Sequence, residues 1–499
     1  MRRIPFLLLL LLLPAALRAQ RDSLGAMERA ERTDAEKAFL SERFYGHTPA
    51  GELYRPTPSL SRLEVHMQLR REEEARLEPL GDGTLEGGIR AESYRRLDPY
   101  SVVWADARYL RGRRSNVRWN STADYLLLYP YITADSVGGD LSTEEYAFGG
   151  GYARRLGRFA VAIRGDYRAG QEYRQVDPRP HNVVSDFTLR VGGGIEWQRH
   201  TLLADFAWRL YKQNQRISFQ NETNIIRELF MTGLGSYLPR YSGKSSSTTV
   251  AYEGRGYGAT LQFMPRVGTG WYALIAWNRF TTGRNYRPNN SIPVSSLATQ
   301  ELKADVVYRA ARWSAGVCGN FERRLGTEMV ADRNGQGSIV DRQTLYENRT
   351  HEVGAEATVV WHRGTGRYVL HPSIVWSSST ARYLAPRREM IVSRLGASLR
   401  GEASWLLDGW RLAATAGVGY YAPPRKGLRL DALADYLAEY LTRTAARLNC
   451  RHLAPEASLH AERRLRNRTA CFAELRYAPR IYQGGDAEHH LTAACGLLF

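Results

Sequence analysis

Beyond residue 19 the sequence has no apolar run long enough to form a membrane-spanning helix, and its mean hydropathy is −0.43. This absence excludes helical membrane proteins, whose spans need about 20 consecutive apolar residues. It does not exclude β-barrel membrane proteins, because barrel strands alternate polar and apolar residues and so keep a low average hydropathy. Cysteine is scarce, with 4 in 499 residues and no C-x-x-C spacing, so the sequence offers no metal or redox motif.

Signatures of catalysis are also missing. The sequence contains neither the H-E-x-x-H zinc motif nor the G-x-S-x-G nucleophile motif. His452 and His460 come nearest to an acid–base or metal set, but eight residues on a strand span about 26 Å, too far to share one ion. We therefore expect no catalytic residue, no metal site and no cofactor, and we expect that the protein is not an enzyme.

The first 19 residues have the organisation of a secretory signal peptide. Arg2 and Arg3 form a basic start, Phe6–Leu13 an apolar core, and Leu17-Arg18-Ala19 a cleavage site before Gln20. The apolar core is too short to span a bilayer. We therefore expect export through a cleaved signal peptide.

The last eleven residues alternate in steps of two, with Leu491, Ala493, Cys495, Leu497 and Phe499 on one side. This period predicts a strand with one apolar face. A chain that stops on an aromatic residue at the end of such a strand looks like an outer-membrane β-barrel of a Gram-negative bacterium. In that class the final aromatic residue is the insertion signal, so the resemblance implies this role for Phe499 and implies the barrel-insertion machinery as a partner.

The same alternation recurs from Leu60 onward, for example over Phe159–Arg168 and Leu202–Leu210. The connections between these segments alternate between short and long, which is the rule for barrels with short periplasmic turns and long outer loops. Eight short and nine long connections predict an all-β, antiparallel transmembrane barrel of about 18 strands, within a range of 14 to 18. A soluble β-sandwich would use fewer and shorter strands.

The residues between the signal peptide and the first strand are polar and mixed, with one helical piece near Asp34–Phe44. A segment of about 40 residues cannot bury a core of its own. We therefore divide the chain into a signal peptide (1–19), a periplasmic N-terminal segment (20–59) and an outer-membrane barrel (60–499). Two outer loops, 212–246 and 422–450, carry apolar residues, and we expect one of them to enter or cap the lumen.

The predicted inward face of the strands carries charges of both signs. The candidate luminal charges are Arg164, Asp166, Arg168, Asp186, Arg190, Asp205, Arg209, Lys303, Asp305, Glu352, Glu356, Arg400, Glu402, Arg411, Glu474 and Arg476. On one interpretation they line a wet channel, and their ion pairs set its solute preference. On the other they are cross-strand pairs in a closed lumen.

The formal net charge of +18 suits an anionic membrane surface or anionic solutes. The basic residues are scattered rather than clustered, so nucleic acid is not an expected partner. In the outer loop 174–182, two prolines favour an extended backbone that holds Arg174, Arg179 and His181 outward. These side chains are candidate contacts for anions such as the phosphates of lipopolysaccharide. The alternative is a rigid loop with a solvated charged face.

Two motifs point to a family. They are Y-A-F-G-G-G-Y-A at residues 146–153, and Tyr173-Arg174 followed by D-P-R-P at residues 177–180. With the barrel pattern, they resemble an uncharacterised outer-membrane β-barrel family of Bacteroidota, over most of the mature chain. The resemblance implies place and fold, and it implies neither a substrate nor catalytic residues.

Three hypotheses for function remain. The first is a passive channel or porin-like transporter for small polar or anionic solutes. The second is a plugged structural or docking barrel of a surface-assembly or secretion machine. The third is a barrel enzyme that modifies lipid. In each case outer-membrane lipid and lipopolysaccharide are expected partners, and small solutes are expected for the first.

Overall fold

The computed structural model describes residues 24–221, 227–243, 247–287, 291–332, 338–466 and 468–499. The predicted signal peptide, residues 1–19, lies outside the described residues.

Eighteen antiparallel strands form one closed barrel, which confirms the predicted fold class. In chain order the strands are β1 (Leu60–Glu72), β2 (Gly83–Asp98), β3 (Ser101–Val117), β4 (Gly139–Leu156), β5 (Phe159–Tyr173), β6 (Arg179–Trp197), β7 (His200–Ser218), β8 (Ser247–Pro265), β9 (Gly270–Tyr286), β10 (Ile292–Arg309), β11 (Trp313–Ala331), β12 (Ile339–Arg363), β13 (Gly366–Tyr383), β14 (Arg388–Leu407), β15 (Trp410–Ala422), β16 (His452–Arg466), β17 (Thr469–Tyr477) and β18 (Ala487–Leu498). The short strands Lys426–Leu430 and Arg480–Tyr482 extend the sheet at the long-loop end.

The barrel closes between its first and last strands. Leu63 of β1 lies opposite Leu497 of β18, and the backbones of Ser61 and Phe499 exchange hydrogen bonds of 2.9 and 3.2 Å. Closure leaves none of the eighteen described strands with a free edge within the membrane, where an unpaired backbone group would be costly.

Connections between the strands alternate between short and long, in the predicted order. Several long connections are nevertheless shorter than predicted. For example, the spacing of the alternating segments in the sequence predicts a long loop at 378–391, but β13 runs to Tyr383 and β14 begins at Arg388. The hydrogen-bonded ladder continues beyond the bilayer, where outward side chains no longer have to be apolar. The alternation that reveals a strand in the sequence therefore ends before the strand does.

The two faces of the strands have different environments. In β5 the outward Phe159, Val161 and Ile163 are 49, 48 and 48% exposed, whereas the inward Ala160 and Ala162 are 2 and 7% exposed. Exposed apolar side chains on the outer wall match a lipid environment. The burial of small inward side chains shows that something packs inside the barrel at the short-turn end.

Residues 24–59, called the N-terminal segment below, fill the lumen at that end. They form the helix α1 (Ala26–Lys37), the short helix α2 (Glu42–Tyr45) and a 3-10 turn (Pro49–Tyr54). The helix begins and ends earlier than the predicted piece at 34–44, because Met27 and Ala30 pack against Phe472 of β17. The segment is too short for its own core, and it uses the inner wall of the barrel as its apolar partner.

The long-loop end is filled by residues 118–138, 227–243 and 431–451, called the outer cap below. The cap contains the short helix α3 (Tyr125–Leu128), the helix α4 (Asp435–Leu448) and a small sheet of Thr133–Ala134, Leu229–Gly233 and Ser236–Tyr237. Its apolar residues share one buried cluster with inward side chains of the strands, such as Tyr252 and Tyr346. The sequence predicts that one of the loops 212–246 and 422–450 enters or caps the lumen. Both loops contribute residues to the outer cap, and residues 118–138 of a third loop join them.

Candidate functional site: a charged chamber between two seals

Apolar contacts hold the N-terminal segment against the inner wall. Phe44 and Tyr45 pack on Tyr272 of β9, with ring centroids 5.4 and 6.1 Å apart and the two tyrosine hydroxyls 2.9 Å apart. Leu40 and Leu53 lie in the same buried cluster. All of these wall contacts lie near the short turns, so the segment closes the lumen at that end.

Ion pairs fasten the same segment to widely separated strands. The guanidinium of Arg309 in β10 donates to both carboxylate oxygens of Glu36, at 2.7 and 3.0 Å. Arg411 of β15, whose side chain is 2% exposed, lies 2.6 Å from Asp34. Further polar contacts include Arg43 to Glu356 of β12, Arg367 of β13 to Glu31 at 3.8 Å, and Arg190 of β6 to the backbone oxygen of His47 at 3.1 Å.

Removal of the N-terminal segment would take carboxylate partners away from arginines of the barrel wall. Arg411 also pairs with Glu462 at 2.7 Å, and Glu462 is 2% exposed. Arg411 therefore keeps one partner if the segment withdraws, whereas Arg309 loses Glu36 and is left with an uncompensated buried charge, which is strongly destabilising unless water enters. Withdrawal of the segment is therefore coupled to hydration of the short-turn end.

Buried arginines of the strands hold the outer cap by its backbone. Arg284 of β9 donates to the carbonyl oxygens of Ile132 and Met231, at 2.9 and 3.0 Å. Arg388 of β14 donates to those of Leu234 and Ala432, at 2.9 and 2.7 Å. Arg324 of β11 likewise donates to carbonyls of helix α3. Each guanidinium can satisfy several otherwise orphaned carbonyls, so three side chains order three loops.

The prediction that Arg174 is held outward is wrong, because its side chain is fully buried beneath the cap. Its guanidinium lies 2.6 Å from Asp135 and donates to the carbonyl oxygen of Pro178 at 2.7 Å. Burial of an extended arginine needs a carboxylate partner, and Asp135 of the neighbouring loop supplies it. The other two candidate anion contacts lie on the outer hairpin. Arg179 pairs with Asp177 at 2.7 Å, and His181 is exposed.

A second carboxylate joins this buried cluster. The Ser121 hydroxyl lies 3.1 Å from a carboxyl oxygen of Asp135 and 3.3 Å from one of Glu228, and Glu228 is 2% exposed. The pKa of Glu228 is raised to about 8: burial is the largest cause, the neighbouring Asp135 adds to the rise, and Arg174 opposes it. Three outer loops therefore meet at two carboxylates and one guanidinium.

The cap is expected to loosen as pH rises from about 5 to 8. In the folded cap Glu228 keeps its proton up to about pH 8, whereas in an unfolded chain it loses it near its ordinary pKa of 4.5. The folded state binds more protons across this window, so cap stability falls with rising pH, by about 1.4 kcal/mol for each pKa unit at most. Amide hydrogen exchange of residues 118–138 measures this. The substitution Glu228→Gln removes the dependence, and an unchanged profile in that variant would contradict the assignment.

Between the N-terminal segment and the outer cap, the lumen contains a chamber of about 500 Å³. Its charged and polar lining includes Asp106, Asp166, Arg168, Asp186, Arg190, Arg209, Asn278, Glu301, Glu322 and Arg324. A second cavity of about 650 Å³ shares Leu126, Leu127, Arg168, Asp186 and Arg209 with the first. It reaches Arg70, Thr84 and Arg114 at the outer ends of β1–β3, and Leu80 in the first long loop. The chamber therefore extends toward the long-loop side along one part of the wall.

Most of the predicted luminal charges are engaged in ion pairs. Beside those already described, the pairs are Arg164 with Asp106 and Asp166, Arg168 with Asp124, Glu145 and Asp186, Arg209 with Asp186, Lys303 with Asp305, Glu402 with Arg367, Arg400 and Arg476 with Glu456, and Glu474 with His460. Asp205 is buried opposite Thr260, and Glu352 is exposed opposite Asn320. The structure brings Arg168, Asp186 and Arg209 together at the junction of the two cavities. Arg411 and Glu356 instead form ion pairs with the N-terminal segment.

The chamber wall carries two carboxylates that are not held in ion pairs. Glu301 lies directly opposite Glu322 on neighbouring strands, and Asn278 donates to Glu301 at 3.3 Å. Among the described residues, neither carboxylate forms an ion pair within 4 Å. Arg168 and Arg209 are bound to carboxylates, Arg324 is bound to carbonyl oxygens, and Arg190 is bound to the carbonyl oxygen of His47. The free hydrogen-bonding capacity of the chamber is therefore mainly that of acceptors.

The described residues contain neither a membrane-spanning helix nor a metal-binding cluster of side chains. No helix there has the length and apolarity to cross a membrane. No group of three or more His, Cys, Asp or Glu side chains in these ranges is arranged to hold a metal ion.

Solved structures similar to this chain are barrels of outer-membrane proteins. A bacterial polysaccharide outer membrane secretin is 13% identical, with 88% of this chain and 97% of that chain covered and a TM-score of 0.38. The ferric citrate transporter FecA is 11% identical, with 89 and 79% covered and a TM-score of 0.39. A mutant of the ferric enterobactin receptor PfeA from Pseudomonas aeruginosa is 9% identical, with 88 and 80% covered and a TM-score of 0.39.

Sequence comparison gives one match and one absence. No curated protein matches the sequence. A family model described as a family of unknown function, DUF6850, matches residues 49–499. This agrees with the resemblance to an uncharacterised barrel family, while an origin in Bacteroidota remains a prediction.

Proposed function

The chain belongs to DUF6850, a family of unknown function, and we propose from its lumen that it is a gated outer-membrane channel for a small polar solute. In this proposal the solute enters the chamber from the outer side. The N-terminal segment then controls passage at the periplasmic side. The observation that carries the proposal is the charged chamber enclosed between a cap and a segment that is fastened to the wall by ion pairs.

The orientation follows from the ends of the barrel. Short turns face the periplasm and long loops face the exterior in barrels of this kind. The cavity that reaches Leu80 then points outward, and the N-terminal segment lies at the periplasmic mouth. An 18-stranded barrel is wide enough for an aqueous channel, so what limits passage is what fills the lumen.

The chemistry of the chamber narrows the class of solute. Its arginines are bound to carboxylates or to backbone carbonyl oxygens, while Glu301 and Glu322 can still accept hydrogen bonds. A polar molecule that donates hydrogen bonds or carries positive charge fits such a wall better than the anionic solute expected from net charge alone. This supports a gated form of the channel hypothesis with a revised solute class.

A docking barrel is the second candidate. The observation in its favour is the same seal, because a segment held by contacts to β6, β10, β12, β13 and β15 closes the lumen in the resting state. A docking barrel would keep the chamber shut from both sides. Access of solute to the chamber from outside separates the two candidates.

Thiol labelling from outside intact cells tests this access. In a variant whose four native cysteines are replaced by serine, Ala207→Cys places a thiol in the chamber wall. We expect a small membrane-impermeant maleimide to label it, because the outer cavity leads to this position. The matched control is Ala160→Cys, which lies beneath the N-terminal segment at 2% exposure and is expected to stay unlabelled. Equal protection of both positions would favour the docking barrel.

A further inference from the structure

Outward-facing arginines form a row on the wall of strands β9–β12. Arg279 of β9 lies opposite Gln300 of β10, which lies opposite Arg323 of β11, which lies opposite Arg349 of β12. Neighbouring strands are about 4.8 Å apart, so the row spans about 14 Å. Arg255 of β8 is an exposed outward neighbour of this row. These four arginines are called the outer arginine row below.

The level of the row is set by the residues beneath it. Two residues closer to the short turns, the same four strands carry Trp277, Leu302, Phe321 and His351 in register. Trp277, Leu302 and Phe321 are 39, 39 and 42% exposed on the outer wall, as lipid-facing side chains are. A step of two residues along a strand is about 7 Å. The row therefore lies just beyond an apolar and aromatic belt, at the level of lipid headgroups.

The charge of the row is only partly neutralised by the protein. Glu347 pairs with both Arg323 and Arg349, at 3.0 and 2.8 Å. Arg279 and Arg255 form no ion pair within 4 Å among the described residues. Positive side chains on the lipid-facing wall are costly at depth and favourable where anionic headgroups meet them. The row thus carries more positive charge than its single carboxylate balances.

We propose that the outer arginine row binds the phosphate groups of a phosphorylated glycolipid in the outer leaflet. Guanidinium groups bind phosphate oxygens in pairs, and Trp277 and Phe321 lie where the acyl chains of the same lipid begin. The site differs from the outer loop of the sequence analysis, where Arg174 is buried. The proposal rests on the outer-membrane location proposed above, but not on gating, so chamber labelling and lipid binding fail independently.

Lipid retention tests the site on the whole protein. The barrel is purified from outer membranes in mild detergent, and lipopolysaccharide is quantified per barrel by its sugar content. We expect the double variant Arg279→Ala/Arg323→Ala to retain at least roughly fivefold less than the wild type, because charge-assisted phosphate contacts are lost. The matched control is Arg216→Ala/Arg342→Ala, two exposed arginines on strand ends farther from the membrane. Equal retention in the two double variants would overturn the proposal.

Thermal unfolding of the refolded, lipid-free barrel distinguishes the source of the phosphate. We expect lipopolysaccharide to raise the unfolding temperature of the wild type, and dephosphorylated lipopolysaccharide to raise it much less. An equal rise with inorganic phosphate would overturn a lipid ligand, and an equal rise with the dephosphorylated lipid would overturn a phosphate site. Arg279→Lys/Arg323→Lys keeps the charge but not the paired geometry, and an intermediate rise is expected for it. Heat-modifiable migration confirms that each variant is folded.

Discussion

Removal of residues 20–58 is expected to convert a barrel with little or no ion conductance into a conducting one. The deletion takes away Glu36 and Asp34, which pair with Arg309 and Arg411, and it takes away Phe44 and Tyr45, which pack on the wall. Water then hydrates Arg309, because leaving it buried without Glu36 is unfavourable, whereas Arg411 keeps its pair with Glu462. We expect mean conductance in planar bilayers to rise on the order of tenfold, since a barrel of this width is otherwise an aqueous channel.

A milder variant separates the ion pairs from the apolar packing. Glu36→Gln keeps the shape of the segment but weakens its two hydrogen bonds with Arg309. Brief openings are expected in place of steady conductance. The matched control is Glu439→Gln, an exposed carboxylate on helix α4 that pairs with Arg443. That change is expected to leave the recordings as in the wild type, because exposed pairs of this kind contribute little.

The labelling experiment gives a second measure of the same gate. Ala160 is covered in the full-length protein and lies at the short-turn end. In the deletion variant Ala160→Cys is expected to react, although it is protected in the presence of the segment. If the shortened barrel migrates as a folded species yet neither conducts nor exposes this position, the gate lies elsewhere, and the cap becomes the closed element.

The sequence predicts the barrel well because the lipid imposes a simple pattern. Each strand must present apolar side chains outward, and this leaves an alternation that survives in segments such as Phe159–Arg168. Strand number follows from the alternation together with turn spacing. Neither requires knowledge of what lies inside the barrel, so both can be predicted without the tertiary structure.

The contents of the lumen are harder to predict, because they depend on contacts between distant parts of the chain. One local pattern in the sequence nevertheless indicates that the lumen is filled. Near the short turns the inward positions are apolar too, as at Ala160, Leu203, Leu274 and Val307, whereas midway along the strands they are charged. An apolar inward end cannot face water in an open pore. It therefore indicates a covering segment, and the N-terminal residues are the nearest candidate in the chain.

Arginines illustrate the same limit at the level of single residues. Arg309 ends a strand in the sequence and Arg174 stands beside two prolines, so both suggest exposed positions. Their burial depends on Glu36 and Asp135, which lie elsewhere in the chain. The sequence shows the charge but not its partner. A buried arginine cannot be told from an exposed one until the fold brings that partner near.

The second large effect is expected from Arg174→Met, which removes the only guanidinium described at the Asp135 and Glu228 cluster. The Asp135 carboxylate then remains buried without a cation, beside the protonated Glu228. Breaking a buried pair by removal of one partner costs about 3 to 5 kcal/mol. We expect hydrogen exchange in residues 118–138 and 227–243 to accelerate strongly, while the central strands keep their protection. The barrel wall is held by its own ladder and does not depend on this cluster.

The control lies in the same hairpin. Arg179→Met removes an arginine whose partner, Asp177, is two residues away, and the Arg179 side chain is 35% exposed. Its expected cost is below about 1 kcal/mol, because exposed pairs are screened by solvent. Equal acceleration in the two variants would show that the hairpin, rather than the buried charge, orders the cap.

Removal of the opposing charge is expected to rescue the Arg174 variant in part. The double variant Arg174→Met/Asp135→Asn leaves one buried carboxyl group, Glu228, whose pKa is still raised by burial, so that it stays neutral in the folded cap at pH 6. A neutral, hydrogen-bonded cluster costs far less to bury than an unpaired charge. We therefore expect the double variant to exchange more slowly than Arg174→Met alone at pH 6. The gain should shrink as pH rises past 8, because Glu228 then ionises without a partner. Such a crossover distinguishes electrostatics from packing, since a packing defect has no dependence on pH.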